Sequence, residues 1–386
     1  MKKYRLGDLA VMITKGTTPT SLGFDFVDEG INFVKIESIA ENGDFLTDKF
    51  AHISAECDNK LSRSQLRKND ILFSIAGAIG RTAIVTEEIL PANTNQALAI
   101  IRVPEGVIDY SYLKYVLQSA SVVEQFEKKK QGVAQLNISL RDISDFFIPL
   151  CSVEQQNLIV ATIDKVSELI ALRKQQLAKL DELVKSRFIE MFGEVETNIQ
   201  RFTMKRMDEC CKFIGGAQPD KSYFEYEKTD ENVRLIQIRD YKSDKFITYI
   251  PKEMARKTCT AEDIMVGRYG PPIFQILGGI EGAYNVALMK AVPSKEFNVE
   301  YFRNFLKSEK LLRYLESFSQ RTAGQDGIQI DKLNAYPCFV PPIELQNQFA
   351  TFVEQVDKSK LAIQKSLEQL ETLKKALMQK YFSIYA

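Results

Sequence analysis

Two stretches of the chain carry apolar residues at spacings of three and four and contain neither Gly nor Pro. The first runs from about 153 to 192, with Ile163, Val166, Ile170, Leu177, Leu180, Val184 and Met191 on one face. The second runs from about 343 to 386, with Val353, Val356, Ile363, Leu367, Leu370, Leu377 and Tyr381. This period predicts two amphipathic helices. Pro149 precedes the first and Pro341-Pro342 the second, and Glu154 and Glu344 stand where a helix start favours negative charge. Gly193 ends the first, and Glu194 to Arg201 form a linker. A helix of roughly 40 residues reaches about 60 Å. That exceeds the width of an ordinary domain, so much of each seam would face water unless the two seams bury each other. An antiparallel coiled coil is expected.

Outside these helices the apolar pattern shortens to period two, and the chain is written twice at an offset of about 190 to 200 residues. Met12 to Pro19, with Gly16, matches Lys212 to Pro219, with Gly215 and Gly216. The alternating strand Phe33 to Ile39 matches Leu235 to Tyr241. Asn69 to Phe73 and its following glycines match Glu262 to Val266. Asn95-Gln96-Ala97-Leu98 matches Asn285-Val286-Ala287-Leu288, and Asn137 to Leu140 matches Gly327 to Ile330. Further helices are expected over Ser111 to Lys128 and Val299 to Gln320. The predicted fold class is α+β: two tandem globular domains separated by two long antiparallel coiled-coil helices, with a pseudo-twofold internal repeat. The expected division is a first globular domain at 1–150, a first long spacer helix at 151–193, a second globular domain at 194–341 and a second long spacer helix at 342–386.

Composition narrows the chemistry. Lys plus Arg and Asp plus Glu both number 51, so the formal charge is zero. That balance counts against a stand-alone nucleic-acid binder; if the chain binds DNA, its positive charge must be patterned locally or supplied by a partner. The six cysteines form no C-x-x-C pair and the single histidine, His52, has no partner, so no zinc site is expected. There is no apolar run of membrane-spanning length, and a soluble, cytoplasmic protein is expected. No phosphate-binding G-x-x-x-x-G-K-[ST] loop, G-x-S-x-G elbow or H-E-x-x-H helix occurs. Tyr269-Gly270-Pro271-Pro272-Ile273-Phe274 has the outline of an amino-methyltransferase loop. It lacks both the amine-gripping side chain and the stacking aromatic, so a structural turn is expected there.

The duplicated plan resembles the specificity subunits of type I restriction-modification systems along the whole chain. The resemblance rests on Leu6-Gly7-Asp8, Lys15 to Pro19, Phe33 to Ile36, Asp70 to Phe73 and Ile148-Pro149 ahead of Glu154-Gln155-Gln156. The second copy departs at Met207-Asp208-Glu209 and at Gly215-Gly216-Ala217. It implies two target-recognition domains, each reading half of a split site in double-stranded DNA. It also implies helices that space those domains and dock two methyltransferase (M) subunits. No cofactor belongs to this chain; S-adenosylmethionine is expected in the partner methyltransferase subunits. Motor-nuclease (R) subunits complete the implied complex, and no membrane is involved.

Base reading needs bidentate donors and acceptors on loops: Arg or Lys for guanine, Asn or Gln for adenine. Candidates in the first repeat are Lys15, Thr17, Thr18, Lys35, Ser74, Arg81, Gln131 and Gln135, with Lys129 in Lys128-Lys129-Lys130 as a phosphate contact. Those in the second are Gln218, Lys221, Gln237, Arg239, Arg268, Tyr269, Arg321 and Gln325. Gln156, Leu158, Gln346 and Phe349 are candidates for subunit docking, the alternative for these being packing against the chain's own domains. The rival reading of the whole chain is a coiled-coil scaffold with paired globular heads and no DNA binding.

Overall fold

The computed structural model describes residues 2–128, 137–270, 272–318, 321–322 and 325–383. They form two compact units. The first comprises Met1–Lys174 with Lys365–Ala386, and the second Gln175–Gln364. Each long helix, Val153–Phe192 and Ile343–Phe382, therefore gives one half to each unit. This division differs from four consecutive segments: the helices are parts of both units.

The two units are built alike. In the first, a four-stranded sheet takes the order Met12–Lys15, Leu98–Arg102, Ile71–Ser74, Thr82–Ile84. In the second, the order is Cys211–Gly215, Leu288–Pro293, Ile264–Gly267, Gln275–Leu277. A smaller sheet joins Ala51–Ile53, Ile31–Val34 and Ala92–Thr94, with a parallel pairing between the last two. Its counterpart joins Tyr249–Pro251, Asn232–Ile236, Gly282–Tyr284 and Thr258–Cys259. A two-stranded ribbon closes each unit: Lys2–Arg5 with Phe147–Leu150, and Thr203–Arg206 with Pro337–Val340.

Two expectations change. The strands expected over Phe33 to Ile39 and Leu235 to Tyr241 each stop early and turn into a 3-10 turn, Ile36–Ser38 and Ile238–Tyr241. A short polar side chain at the third residue of each turn accepts the hydrogen bond that a strand partner would have taken. Ser38 Oγ accepts from Lys35 N (3.4 Å), and Asp240 Oδ2 from Gln237 N (3.0 Å). The helices expected over Ser111 to Lys128 and Val299 to Gln320 are each broken in two: Tyr110–Leu117 then Ala120–Glu127, and Val299–Leu306 then Glu309–Ser317. In each case a serine, Ser119 or Ser308, sits at the break and starts the second helix.

Within each unit the two half-helices run antiparallel. In the first, Lys174 pairs with Glu371 at 3.2 Å, and Ile159 and Ile163 share a core with Met378 and Phe382. In the second, Lys360 pairs with Asp181 at 2.6 Å, and Phe188 and Phe192 both meet Phe349 edge-on. The apolar seam read from the sequence is the less exposed face. Ile163, Val166, Val184, Val353 and Val356 are buried, while Leu158 and Leu361 on the outer faces are exposed. The helix ends anchor this packing. Phe382 lies edge-on to Tyr112, and Phe192 edge-on to Tyr301, all four rings fully enclosed. Burying a ring of that size contributes about 2 kcal/mol.

Candidate DNA interface

The loops above the main sheets are held by one device used twice. Gly16 donates its N–H to the Asn95 carbonyl (3.1 Å), and a Cβ on Gly16 would lie 1.7 Å from the Thr94 carbonyl oxygen. Gly216 donates to the Leu288 carbonyl (3.0 Å), and a Cβ there would lie 2.1 Å from the Asn285 carbonyl oxygen. Neither glycine needs unusual torsions; each is required because two backbones touch. The facing turn is braced by its own asparagine: Asn95 Oδ1 accepts from Ala97 N, and Asn285 Oδ1 from Ala287 N. Polar loop residues on both turns are thereby presented from a stiff base.

In the first unit, Lys15 precedes Gly16 at the end of its strand, Thr17 and Thr18 follow it, and Thr18 Oγ1 donates to Gln96 Oε1 at 2.5 Å. Lys15 is exposed; Thr17 and Thr18 are half-buried. Lys35 is half-buried with its ammonium 4.2 Å from the Phe26 ring centre. Two candidates are committed to the fold instead. Ser74 is fully buried and donates to the Ala76 carbonyl (2.8 Å). Arg81 donates to the carbonyls of Ile39 (2.7 Å) and Ile36 (3.4 Å), clamping the 3-10 turn from within. Lys129, Gln131 and Gln135 lie outside the described residues.

In the second unit, Gln218 and Lys221 are exposed on the loop after Gly216. Gln237 is half-buried and reaches Thr248 Oγ1 (3.4 Å). Arg239 is exposed beside the Phe246 ring, 5.8 Å from its centre. Arg268 lies 5.4 Å from the centre of Tyr269, and its Nε is buried without a hydrogen bond among the described residues. Tyr269 packs against Gly327, where a Cβ would come within 3.0 Å of the ring. Arg321 and Gln325 fall on two short paired strands, Arg321–Thr322 and Gln325–Asp326, whose side chains lie outside the described ones.

Sequence reasoning missed four residues beside Arg239. Tyr226, Lys228, Lys245 and Phe246 line one open cleft of about 550 Å³ with it. The only signal was a pair of polar loops that carry aromatic and charged residues together, Tyr223 to Lys228, where glutamates flank Tyr226, and Lys242 to Phe246.

Three of the four docking candidates point inward, as their alternative reading had it. Gln156 is fully buried; its side chain accepts from Asp109 N (2.8 Å) and donates to the carbonyls of Val107 (3.2 Å) and Cys151 (2.9 Å). Gln346 does the same in the second unit, with Asn298 N (2.8 Å), Glu296 (3.0 Å) and Pro341 (2.8 Å). Asp109 and Asn298 each cap the helix that packs on the main sheet, so each glutamine locks a long helix to its unit. Phe349 is fully buried in the core. Leu158 alone of the four is exposed, at 69%.

Burial governs the titratable groups. The Cys211 thiol is pushed up to about 12 by desolvation, as expected for an inert core residue. Asp240 is held above its ordinary range by burial, against the opposing pull of the Gln237 N–H and of Arg234 and Arg239. No cluster of potential metal ligands occurs among the described residues, and none of the helices they form is long and apolar enough to cross a membrane.

One scaffold is built twice, each copy completed by halves of the same two helices and topped by loops of different chemistry. Residues 1–182 match the family model for the type I restriction modification DNA specificity domain. The EcoBI specificity subunit of Escherichia coli is 33% identical over 178 residues, 44% of this chain and 37% of that relative's length. The EcoprrI specificity subunit of the same organism is 22% identical over 369 residues, covering 89% of this chain and 85% of the relative. A putative type I restriction enzyme MjaX specificity subunit of Methanocaldococcus jannaschii is 23% identical over 379 residues, covering 90% and 85%. In fold, the chain is similar to one from a structure of complex assembly and conformational transition in a type I R-M system. The TM-score is 0.61 at 17% identity, covering 98% of this chain and 96% of that one. It is also similar to a type I S subunit from M. genitalium, with a TM-score of 0.53 at 14% identity, covering 100% and 96%. By these matches the chain is similar to the specificity subunits of type I restriction-modification systems, most strongly over residues 1–182.

Proposed function

We propose that this chain is the sequence-reading, non-catalytic subunit of a cytoplasmic multisubunit restriction-modification enzyme. Each globular repeat reads one half of an asymmetric, bipartite site in double-stranded DNA. The two long helices set the spacing between half-sites and dock two methyltransferase subunits on their outer faces, where Leu158 is exposed. S-adenosylmethionine and the methyl-transfer chemistry belong to those subunits, and motor-nuclease subunits join them. The observation that carries this reading is one backbone scaffold repeated with different loop side chains. Such an arrangement suits two linked readers of two different short sequences, where linkage raises affinity through effective concentration.

Methylome sequencing of cells with and without the chain tests the reading. The expected result is loss of one methylated bipartite motif. Unchanged methylation in cells that hold the partner subunits overturns it. A second arm inserts one heptad into each long helix at matched positions. Seven residues add about 10 Å of helix, which corresponds to about three base pairs of duplex. A motif that keeps both half-sites and gains a longer spacer is expected; an unchanged spacer removes the helices from the role of ruler.

A further inference from the structure

We propose that the cleft of the second unit lined by Tyr226, Lys228, Arg239, Lys245 and Phe246 is a DNA-contact site with no counterpart in the first unit. Its cations take a backbone phosphate, and its two exposed rings take the neighbouring sugar or base. The proposal rests on reading the globular repeats as DNA readers.

The chemistry of the cleft selects this occupant. Tyr226 is 76% exposed and Phe246 58%, two large rings left in water within one concavity. The Lys245 ammonium lies 5.3 Å and the Arg239 guanidinium 5.8 Å from the centre of the Phe246 ring. The one carboxylate in the lining, Asp244, is already neutralised by Arg234 at 2.8 Å. Cations beside exposed rings suit a nucleotide: charge meets phosphate, and a ring accepts any base face.

The first unit supplies the control. The strand pairings place Arg239 opposite Glu37 in the repeat, each being the second residue of its 3-10 turn. Lys245 corresponds to Asp48, each in the middle of the turn that precedes the edge strand. Tyr226 corresponds to Asp28, each following the residue bridged to that strand. All three residues of the first unit are exposed carboxylates. By the same register Phe246 corresponds to the exposed Lys49, so the first unit keeps one cation among three carboxylates and offers phosphate the less favourable surface.

Fluorescence anisotropy on the full chain decides the matter. It is run at low salt with the chain alone and again with co-expressed methyltransferase subunits, on duplexes carrying the methylated motif or a scrambled one. R239Q combined with K245Q is expected to weaken both duplexes and to flatten the logarithmic salt dependence by about two. Y226A is expected to cost about tenfold in affinity. E37Q combined with D48N is expected to leave binding unchanged or tighten it. Circular dichroism checks that each variant folds. Wild-type binding with unaltered affinity and salt dependence in both second-unit variants overturns this proposal alone. Failure of the wild type to bind either duplex in either form overturns the DNA-reader reading with it.

Discussion

The surface that carries Tyr226, Arg239 and Lys245 in the second unit carries Asp28, Glu37 and Asp48 in the first, although the strands beneath are paired in the same order. Below that surface the two units use the same devices. Gly16 and Gly216 meet a facing carbonyl, Asn95 and Asn285 brace the facing turn, and Gln156 and Gln346 tie a long helix to a capped short one. Backbone contact leaves few residue types that fit, so both copies keep them. Solvent-facing positions carry no such constraint, and there the copies are free to differ. Substitutions that act equally on both units test the shared part of this contrast; those that act on one unit test the rest.

The largest effect is expected at the glycines. Gly16→Ala and Gly216→Ala each force a methyl into a backbone carbonyl, and each is expected to cost about 3 kcal/mol or to prevent folding of its own unit. Hydrogen exchange read peptide by peptide assigns the loss. Protection lost in only one of the two variants would break the equivalence of the two interlocks.

The next test is asymmetric. Asp70 is buried and grips Arg102 with two bonds of 2.6 Å, besides accepting from Arg67 N. Its counterpart Asp263 is partly exposed and meets Lys290 at 3.3 Å. Asp70→Ala is expected to cost about 3 kcal/mol because it strands a largely buried guanidinium. Asp263→Ala is expected to cost about 1 kcal/mol. Urea titration of the two variants compares them; equal losses would show that burial does not separate the pairs.

Gln156→Ala and Gln346→Ala each leave a buried N–H and two carbonyls without their side-chain partner. A loss of about 2 kcal/mol is expected in either unit. Exchange should quicken first in Tyr110–Leu117 for one variant and in Val299–Leu306 for the other. Damage spread evenly over both units would remove the glutamines from the role of local staples.

The smallest effect concerns Asp240, which stands where the first unit has the neutral, buried Ser38. Burial raises the Asp240 pKa above the ordinary 3.8, so the folded state holds its proton more tightly than the unfolded one. Its ionised form therefore carries a penalty that is present at neutral pH. The penalty is relieved as pH falls through the folded value and is gone below the unfolded one. Asp240→Asn keeps the acceptor for Gln237 N–H and removes the charge. Its urea midpoint is expected to equal or slightly exceed the parent's at pH 7, with the advantage shrinking on acidification. An advantage that grows in acid would reverse the sign of this assignment.

Much of the architecture was legible in the residue pattern. Period three-and-four over forty residues, with prolines before each run and a glycine after the first, specifies a long amphipathic helix by local rules alone. Repetition at constant offset specifies two copies of one unit, because equal patterns bury equal faces. What sequence reading could not supply was the direction in which polar side chains point. Ser74, Arg81, Gln156 and Gln346 look like surface polar residues, yet each finds backbone carbonyls or an N–H inside its unit. Those partners lie far along the chain for Arg81 and for the longer bonds of the glutamines, and only folding brings them within reach. The cleft around Phe246 was hidden for the same reason: its rings and cations come from two loops that are neighbours across a strand pair and not along the chain. Local periodicity is a property of consecutive residues and survives in the sequence. Satisfaction of buried polar groups and the gathering of a surface patch depend on distances between remote residues, and the tertiary structure alone decides those.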